Sequence, residues 1–154
     1  MVSYLQLNYI YKYLLFNNVL DFIMIYKTDL SENQISQIVI KNAIKVHKIL
    51  GPGLLESAYS KCLTFELMND KLLVEPEKDI HLFYNDIRID KAYRIDLLIN
   101  RKVIIEIKAV SAFTEVHLAQ ILTYLKLTDC KLGLLLNFNV KLLKNGIKRI
   151  VNNL

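Results

Sequence analysis

Tyr93-Arg94-Ile95-Asp96-Leu97-Leu98-Ile99-Asn100-Arg101-Lys102-Val103-Ile104-Ile105-Glu106-Ile107-Lys108 reads as two apolar strands joined by a short polar turn. Side chains along a strand alternate between faces, so Glu106 and Lys108 emerge together while Ile105 and Ile107 point the other way. The length of the loop decides what they meet. A two-residue turn at Asn100-Arg101 or Arg101-Lys102 would put Asp96 and Glu106 on opposite faces, whereas a three-residue loop over Asn100–Lys102 sets Asp96 across from Glu106 and Arg94 across from Lys108. The three-residue loop is the expectation.

Two carboxylates on adjacent strands make a hard oxygen site suited to Mg²⁺ or Mn²⁺, and a neighbouring ammonium can orient a nucleophilic water or stabilise charge on a phosphoryl group. The simpler reading is a solvated sheet face on which Glu106 pairs weakly with Lys108 and Arg94. Motifs on either side weigh against it. Upstream stands Gly53-Leu54-Leu55-Glu56-Ser57-Ala58-Tyr59, and downstream Gln120-Ile121-Leu122-Thr123-Tyr124.

Asp96 followed by Glu106-Ile107-Lys108 resembles the D…(D/E)-x-K signature of the PD-(D/E)XK nuclease superfamily. The upstream heptad is similar to the motif that names the GxxExxY family within it, and the downstream stretch resembles the Q-x-x-x-Y motif of its RecB-like nucleases. Each motif alone is weak; several in order on compatible elements are stronger. Ile95 stands where the superfamily's name carries a proline. The resemblance covers nearly everything after the N-terminal segment. It implies an α/β (α+β) restriction-endonuclease-like core, a mixed but mostly antiparallel central sheet flanked by helices, and metal-dependent phosphodiester hydrolysis of nucleic acid, most simply DNA. It further implies metal ligation by Asp96, Glu106 and Glu56, with Lys108 as the fourth catalytic residue and Gln120 and Tyr124 placing the substrate. His117, on the same helix face, and Tyr59, at i+3 from Glu56, are further candidates for substrate binding. For Tyr59 the rival reading is a core tyrosine with a satisfied hydroxyl. For Glu56 it is a first-turn carboxylate favoured by the helix dipole.

Composition agrees with one domain. The chain has 154 residues, 53% of them hydrophobic, which is ample for a core, and a net charge of +5. Lys12, Lys27, Asp21 and Asp29 cancel within residues 1–30, so the excess falls beyond them, and a basic balance raises the prior for a polyanionic partner. Cys62 and Cys130 are isolated from each other and from histidines at zinc-ligand spacing, which indicates neither a disulfide framework nor a zinc site and fits a reducing cytoplasm. Residues 1–26 are apolar, but Gln6, Asn8, Lys12, Asn17, Asn18 and Asp21 break every run short of a membrane span, and no signal-peptide pattern is present. They form an extension to a nuclease-like domain at 27–154. Met24 offers an internal start, so 1–23 should be dispensable for folding.

Further along, Asp29 or Ser31 caps a helix to Leu50 with the stripe Ile35, Ile38, Val39, Ala43, Val46 and Ile49 or Leu50; Gly51-Pro52-Gly53 ends it. His47 reads as a buried or capping residue rather than a ligand. A second helix is expected over Leu54–Asn69, burying Leu55, Ala58, Tyr59, Cys62, Leu63, Phe65 and Leu67. Leu72–Val74 and Ile80–Tyr84 read as strands, with Pro76 marking an edge or bulge. Thr114 caps a helix over Glu115–Leu127 with Leu118, Ile121, Leu122 and Leu125 inward and His117, Gln120 and Tyr124 on a polar face. Leu132–Phe138 fits a central strand covered on both faces, followed by a basic tail with Lys141, Lys144, Lys148 and Arg149. The competing function is a catalytically silent nucleic-acid-binding or protein-interaction module on the same fold. Oligomeric state is not legible.

Overall fold

A computed structural model of the chain describes residues 26–154. The extension expected at the N-terminus, with its dispensable stretch 1–23, lies outside the described residues. Helix α1 (Glu32–Leu50) opens on a capping box: the Gln34 N–H donates to Ser31 Oγ, and the Ser31 N–H donates to Gln34 Oε1. Of the expected stripe, Ile35, Val39, Ala43 and Val46 are buried; Ile49 and Leu50 are exposed on the last turn, before Gly51 stops the helix at a φ of 68°. Helix α2 (Glu56–Asn69) begins two residues later than expected and buries Tyr59, Leu63 and Leu67. Leu55 and Phe65, assigned to the core from sequence, face outward. The i, i+4, i+8 row from Tyr59 is sufficient to seat the helix, so apolar residues off that row stay in solvent.

Strand β1 (Val74–Tyr84) runs unbroken through Pro76 and lies at the sheet edge, where a missing N–H is tolerated. The two strands expected there are one, and Leu72 and Leu73 precede it as buried residues. The turn Asn85-Asp86 leads into β2 (Ile87–Ile99), which pairs antiparallel with β1 along its length. Then follow β3 (Val103–Lys108), helix α3 (Glu115–Thr128), β4 (Leu132–Asn137), a 3₁₀ turn (Leu143–Gly146) and β5 (Ile147–Val151). The basic tail divides: Lys148 and Arg149 lie in an edge strand paired to β4, with the Arg149 guanidinium donating to Asn33 at the start of α1, while Lys141 and Lys144 lie in the bend and 3₁₀ turn before it.

The sheet order is β1-β2-β3-β4-β5, with every neighbouring pair antiparallel except β3 and β4, which run parallel and are joined through α3. This is the restriction-endonuclease-like α/β arrangement implied above: among the described residues, three helices around a five-stranded mixed sheet. One core cluster joins α1 and α2 to Leu97, Ile105, Ile107, Leu134 and Leu136; another joins α3 to Leu98, Ile104 and Leu135. Odd and even positions of β3 thus serve opposite helical layers. All six residues of β4 are buried, as a central strand requires. At Gly133 an added Cβ would meet Ile121 at 2.8 Å, so α3 lies directly on β4 there. Among the described residues no helix is long and apolar enough to cross a membrane.

Candidate active site at the end of the central hairpin

The β2–β3 hairpin takes the register on which the chemistry depends. Ile99 opposes Val103, Leu98 opposes Ile104 and Leu97 opposes Ile105, a pairing centred on Arg101 that leaves Asn100–Lys102 as the loop. Asn100 and Arg101 both adopt positive φ, 50° and 56°, and the Lys102 N–H donates to the Ile99 carbonyl. Asn tolerates that backbone and has a second task. Its side-chain oxygen accepts from the Leu73 N–H at 2.9 Å and its amide donates to the Lys27 carbonyl at 2.6 Å, tying the loop to the chain segment before α1.

The ladder ends at Leu97 and Ile105; beyond it Glu106 follows Ile104 onto the face beneath α3, and Asp96 lies close enough for its charge to act on the Glu106 carboxyl. The β1–β2 ladder skips a rung here: Pro76 pairs with Leu97 and Lys78 with Ile95, while Glu77, between them and opposite Asp96, sits at a φ of 51°. A positive φ is costly for Glu, and such irregularities re-aim a neighbouring side chain. Asp96 turns toward β3, where its Oδ2 accepts from the Ile107 N–H at 2.7 Å.

All three acidic candidates are held by the last residues of β3 and the one that follows. Lys108 Nζ donates to Glu106 Oε1 at 2.7 Å, the Ile107 N–H holds Asp96, and the Ala109 N–H donates to Glu56 Oε1 at 2.9 Å. Glu56 reaches this point from the first turn of α2. Glu106 is 3% exposed, and its Oε2 is buried without a hydrogen-bond partner. Burial, then the charges of Asp96 and Glu56, push its carboxyl up to about 7 despite the Lys108 hydrogen bond. Asp96 is raised too, chiefly by burial. The Lys108 amine is raised, since its bond to Glu106 and the charges of Glu106, Asp96 and Glu56 outweigh burial. It is therefore a fixed cation at neutral pH.

The Gln120–Tyr124 pair borders this group. Gln120 Nε2 donates to the Tyr124 hydroxyl, and the Tyr124 phenol is pushed up by burial and by the charges of Glu106 and Asp96. Tyr124 is 1% exposed and meets Tyr93 edge-on at 5.5 Å; it packs inward rather than standing on the polar face expected for it, while Leu122 takes the outward position. Gln120, half-buried, is the member of the pair that faces outward. The other two candidates are not brought to the carboxylates by any hydrogen bond. Tyr59 is fully buried, stacked on Phe138 at 4.3 Å, and its hydroxyl donates to the Gly51 carbonyl and accepts from the Leu54 N–H. It holds the Gly51-Pro52-Gly53 turn that leads to Glu56. His117 Nδ1 accepts from the Thr114 N–H and completes the cap of α3.

Asn137 is a residue the sequence reading missed. Paired with Lys108 at the end of β4 and 2% exposed, its side chain accepts from the Val110 and Asn139 N–H groups and donates to the Val110 carbonyl, fixing the chain as it leaves Lys108. A polar residue closing the apolar run Leu134-Leu135-Leu136 was the available signal.

Each carboxylate has one oxygen committed to the protein, and the three together repel one another around the partnerless Glu106 oxygen. Such a donor set fits a hard divalent cation, which would supply the missing positive charge. Among the described residues no three His, Cys, Asp or Glu side chains stand close enough together to hold a metal ion as they are placed. No curated protein and no solved structure matches the chain. A family model does, over residues 33–150, and with the hairpin, the flanking helices and the acidic group inside that span the chain belongs to the PD-(D/E)XK nuclease superfamily.

Proposed function

We propose that the chain is a metal-dependent nuclease that hydrolyses phosphodiester bonds of nucleic acid, with DNA the expected substrate, and that it belongs to the GxxExxY group and carries the RecB-like helix motif. The observation that carries this reading is the buried Glu106 Oε2, which lacks a partner beside two further carboxylates. Burying a carboxylate with one oxygen lacking a hydrogen bond has a cost that the Lys108 bond offsets only in part, as the raised Glu106 pKa reflects, and a scaffold would have no reason to retain it.

Asp96, Glu106 and Glu56 would hold Mg²⁺ or Mn²⁺. When bound, such a cation neutralises charge on the scissile phosphate and activates water near neutral pH. Lys108, kept protonated by its acidic neighbours, acts as a donor rather than a base: its N–H groups orient Glu106 and a water for in-line attack. Gln120 contacts the substrate strand through its amide, and Tyr124, buried behind it, sets the direction of that amide.

The test is incubation of purified protein with single-stranded, duplex and branched DNA and with RNA, in Mg²⁺, Mn²⁺ or EDTA, beside Lys108→Ala. Metal-dependent cutting abolished by the substitution is expected. Nucleic-acid binding without cutting would leave the fold as a binding module.

A further inference from the structure

A second feature lies where β3 and β4 end. The crevice outside the carboxyl ends of parallel strands is a favoured ligand position in α/β sheets, and β3–β4 is the one parallel pair among the described strands. From that edge, the Phe138 N–H donates to the Lys108 carbonyl, and the chain continues through Val140 to the 3₁₀ turn. Facing it is the end of α1 and the Gly51-Pro52 turn. His47 Nε2 meets the Val140 carbonyl at 2.8 Å, which fixes the two walls against each other.

Between these walls is a cavity of about 460 Å³. Its apolar surface includes Ile44, Pro52 and Leu142, and its ammonium groups are those of Lys48, Lys141 and Lys144. All three lysines are exposed, and among the described residues none has an ion-pair or hydrogen-bond partner. Other surface lysines, Lys41, Lys126 and Lys131 among them, likewise have no ion pair among the described residues; what sets Lys48, Lys141 and Lys144 apart is that they line one cavity. Both walls also run straight into the candidate active site, one through Gly51 to Glu56, the other through Phe138 to Lys108.

We propose that this cavity is a nucleotide subsite: it seats one base of the substrate strand on its apolar surface and holds the flanking phosphates with Lys48, Lys141 and Lys144. The volume falls within the few hundred Å³ of ordinary ligand sites, enough for a nucleotide. Single strands are held without sequence preference by a basic groove that tracks the backbone, and here Ile44, Pro52 and Leu142 would cover one base face by aliphatic contact rather than by aromatic stacking. The inference rests on the proposed nuclease reading for its choice of ligand, but its test does not need turnover.

The test is fluorescence anisotropy in EDTA with a labelled single strand of about 12 nucleotides, within the span of single-strand sites. Lys48→Gln, Lys141→Gln and Lys144→Gln are combined, and the control combines Lys41→Gln, Lys126→Gln and Lys131→Gln, all at exposed positions and equal in charge change. The cavity variant should bind about tenfold or more weakly, and its salt slope should fall by about 2, three contacts at roughly 0.7 each. The control should stay near wild type. A single abasic position along the strand should weaken binding to wild type, and less so to Leu142→Ala. Equal loss in both triple variants would mean general charge attraction and overturn the subsite, as would a flat abasic scan. A wild type that binds no strand overturns subsite and substrate reading together. A wild type that binds but never cuts, and loses binding in the cavity variant alone, keeps the subsite and removes the nuclease.

Discussion

Asn100 and Glu106 are both buried polar residues of one hairpin, six positions apart, and their surroundings are opposite. Asn100 satisfies its side chain within the protein: oxygen to Leu73, amide to Lys27. Glu106 has one oxygen on Lys108 and the other on nothing, amid two carboxylates that raise its pKa. A buried polar group fully satisfied by its own chain stabilises a fold; one left incomplete marks a place meant for something the chain does not contain. The loop end of the hairpin secures the register, and the open end uses it.

Substitution at the two ends should therefore change stability in opposite directions. Asn100→Ala leaves the Leu73 N–H and Lys27 carbonyl without partners and places Ala at positive φ, so a loss of about 3 kcal/mol in urea unfolding is expected. Unchanged stability would remove the structural half of the contrast.

Glu106→Gln should do the reverse in metal-free protein. A carboxyl raised from 4.5 to about 7 binds its proton more tightly folded than unfolded, so its contribution is most favourable below pH 4.5 and declines as pH rises to about 7. Across that window the wild type loses on the order of 3 kcal/mol at this group. The variant should lack that slope and be the more stable protein at pH 8, by up to that amount less any hydrogen bond the amide fails to make. Asp96→Asn should shift stability in the same sense and by less, since the Ile107 amide already compensates part of its burial. Melting temperatures at pH 5 and pH 8 in EDTA would sort the three proteins. If Glu106→Gln instead lowers the melting temperature at pH 8, the incomplete carboxylate is not under strain.

The contrast was legible in sequence to different depths. The register of the hairpin was expected from the choice of a three-residue loop, and α1 from an N-cap at Asp29 or Ser31 and a glycine stop, because such signals lie within a few residues of what they determine. What failed depended on distant partners. Pro76 and Glu77 concealed a continuous β1, since an edge strand opposite an irregular site tolerates both. Leu55, Phe65 and Leu122 were assigned inward on apolarity alone, though each helix has more apolar residues than its contact row can cover. Tyr124 was placed outward because helical spacing puts it on one face with His117 and Gln120; in the fold its ring meets Tyr93 from β2. The end of the basic run, Lys148 and Arg149, became part of β5 only through pairing with β4. At the site, the proximity of Asp96, Glu106 and Lys108 was readable from strand alternation and the three-residue loop. The orphaned Glu106 oxygen and the Asn137 brace were not, because both arise from tertiary packing.

The most direct measurement of the central claim is calorimetric titration of Mn²⁺ into the metal-free chain at pH 6 and pH 8, for wild type, Glu106→Gln and Lys108→Met, beside cleavage by the same samples. The wild type should bind more weakly at pH 6 and release protons as it does so, because a carboxyl titrating near 7 must be deprotonated to ligate. Glu106→Gln should lose most of the affinity together with cleavage. Lys108→Met should keep or improve affinity while cleaving poorly. Equal Mn²⁺ binding by wild type and Glu106→Gln, or wild-type cleavage by Lys108→Met, would contradict the assignment of a metal-dependent nuclease site to these residues.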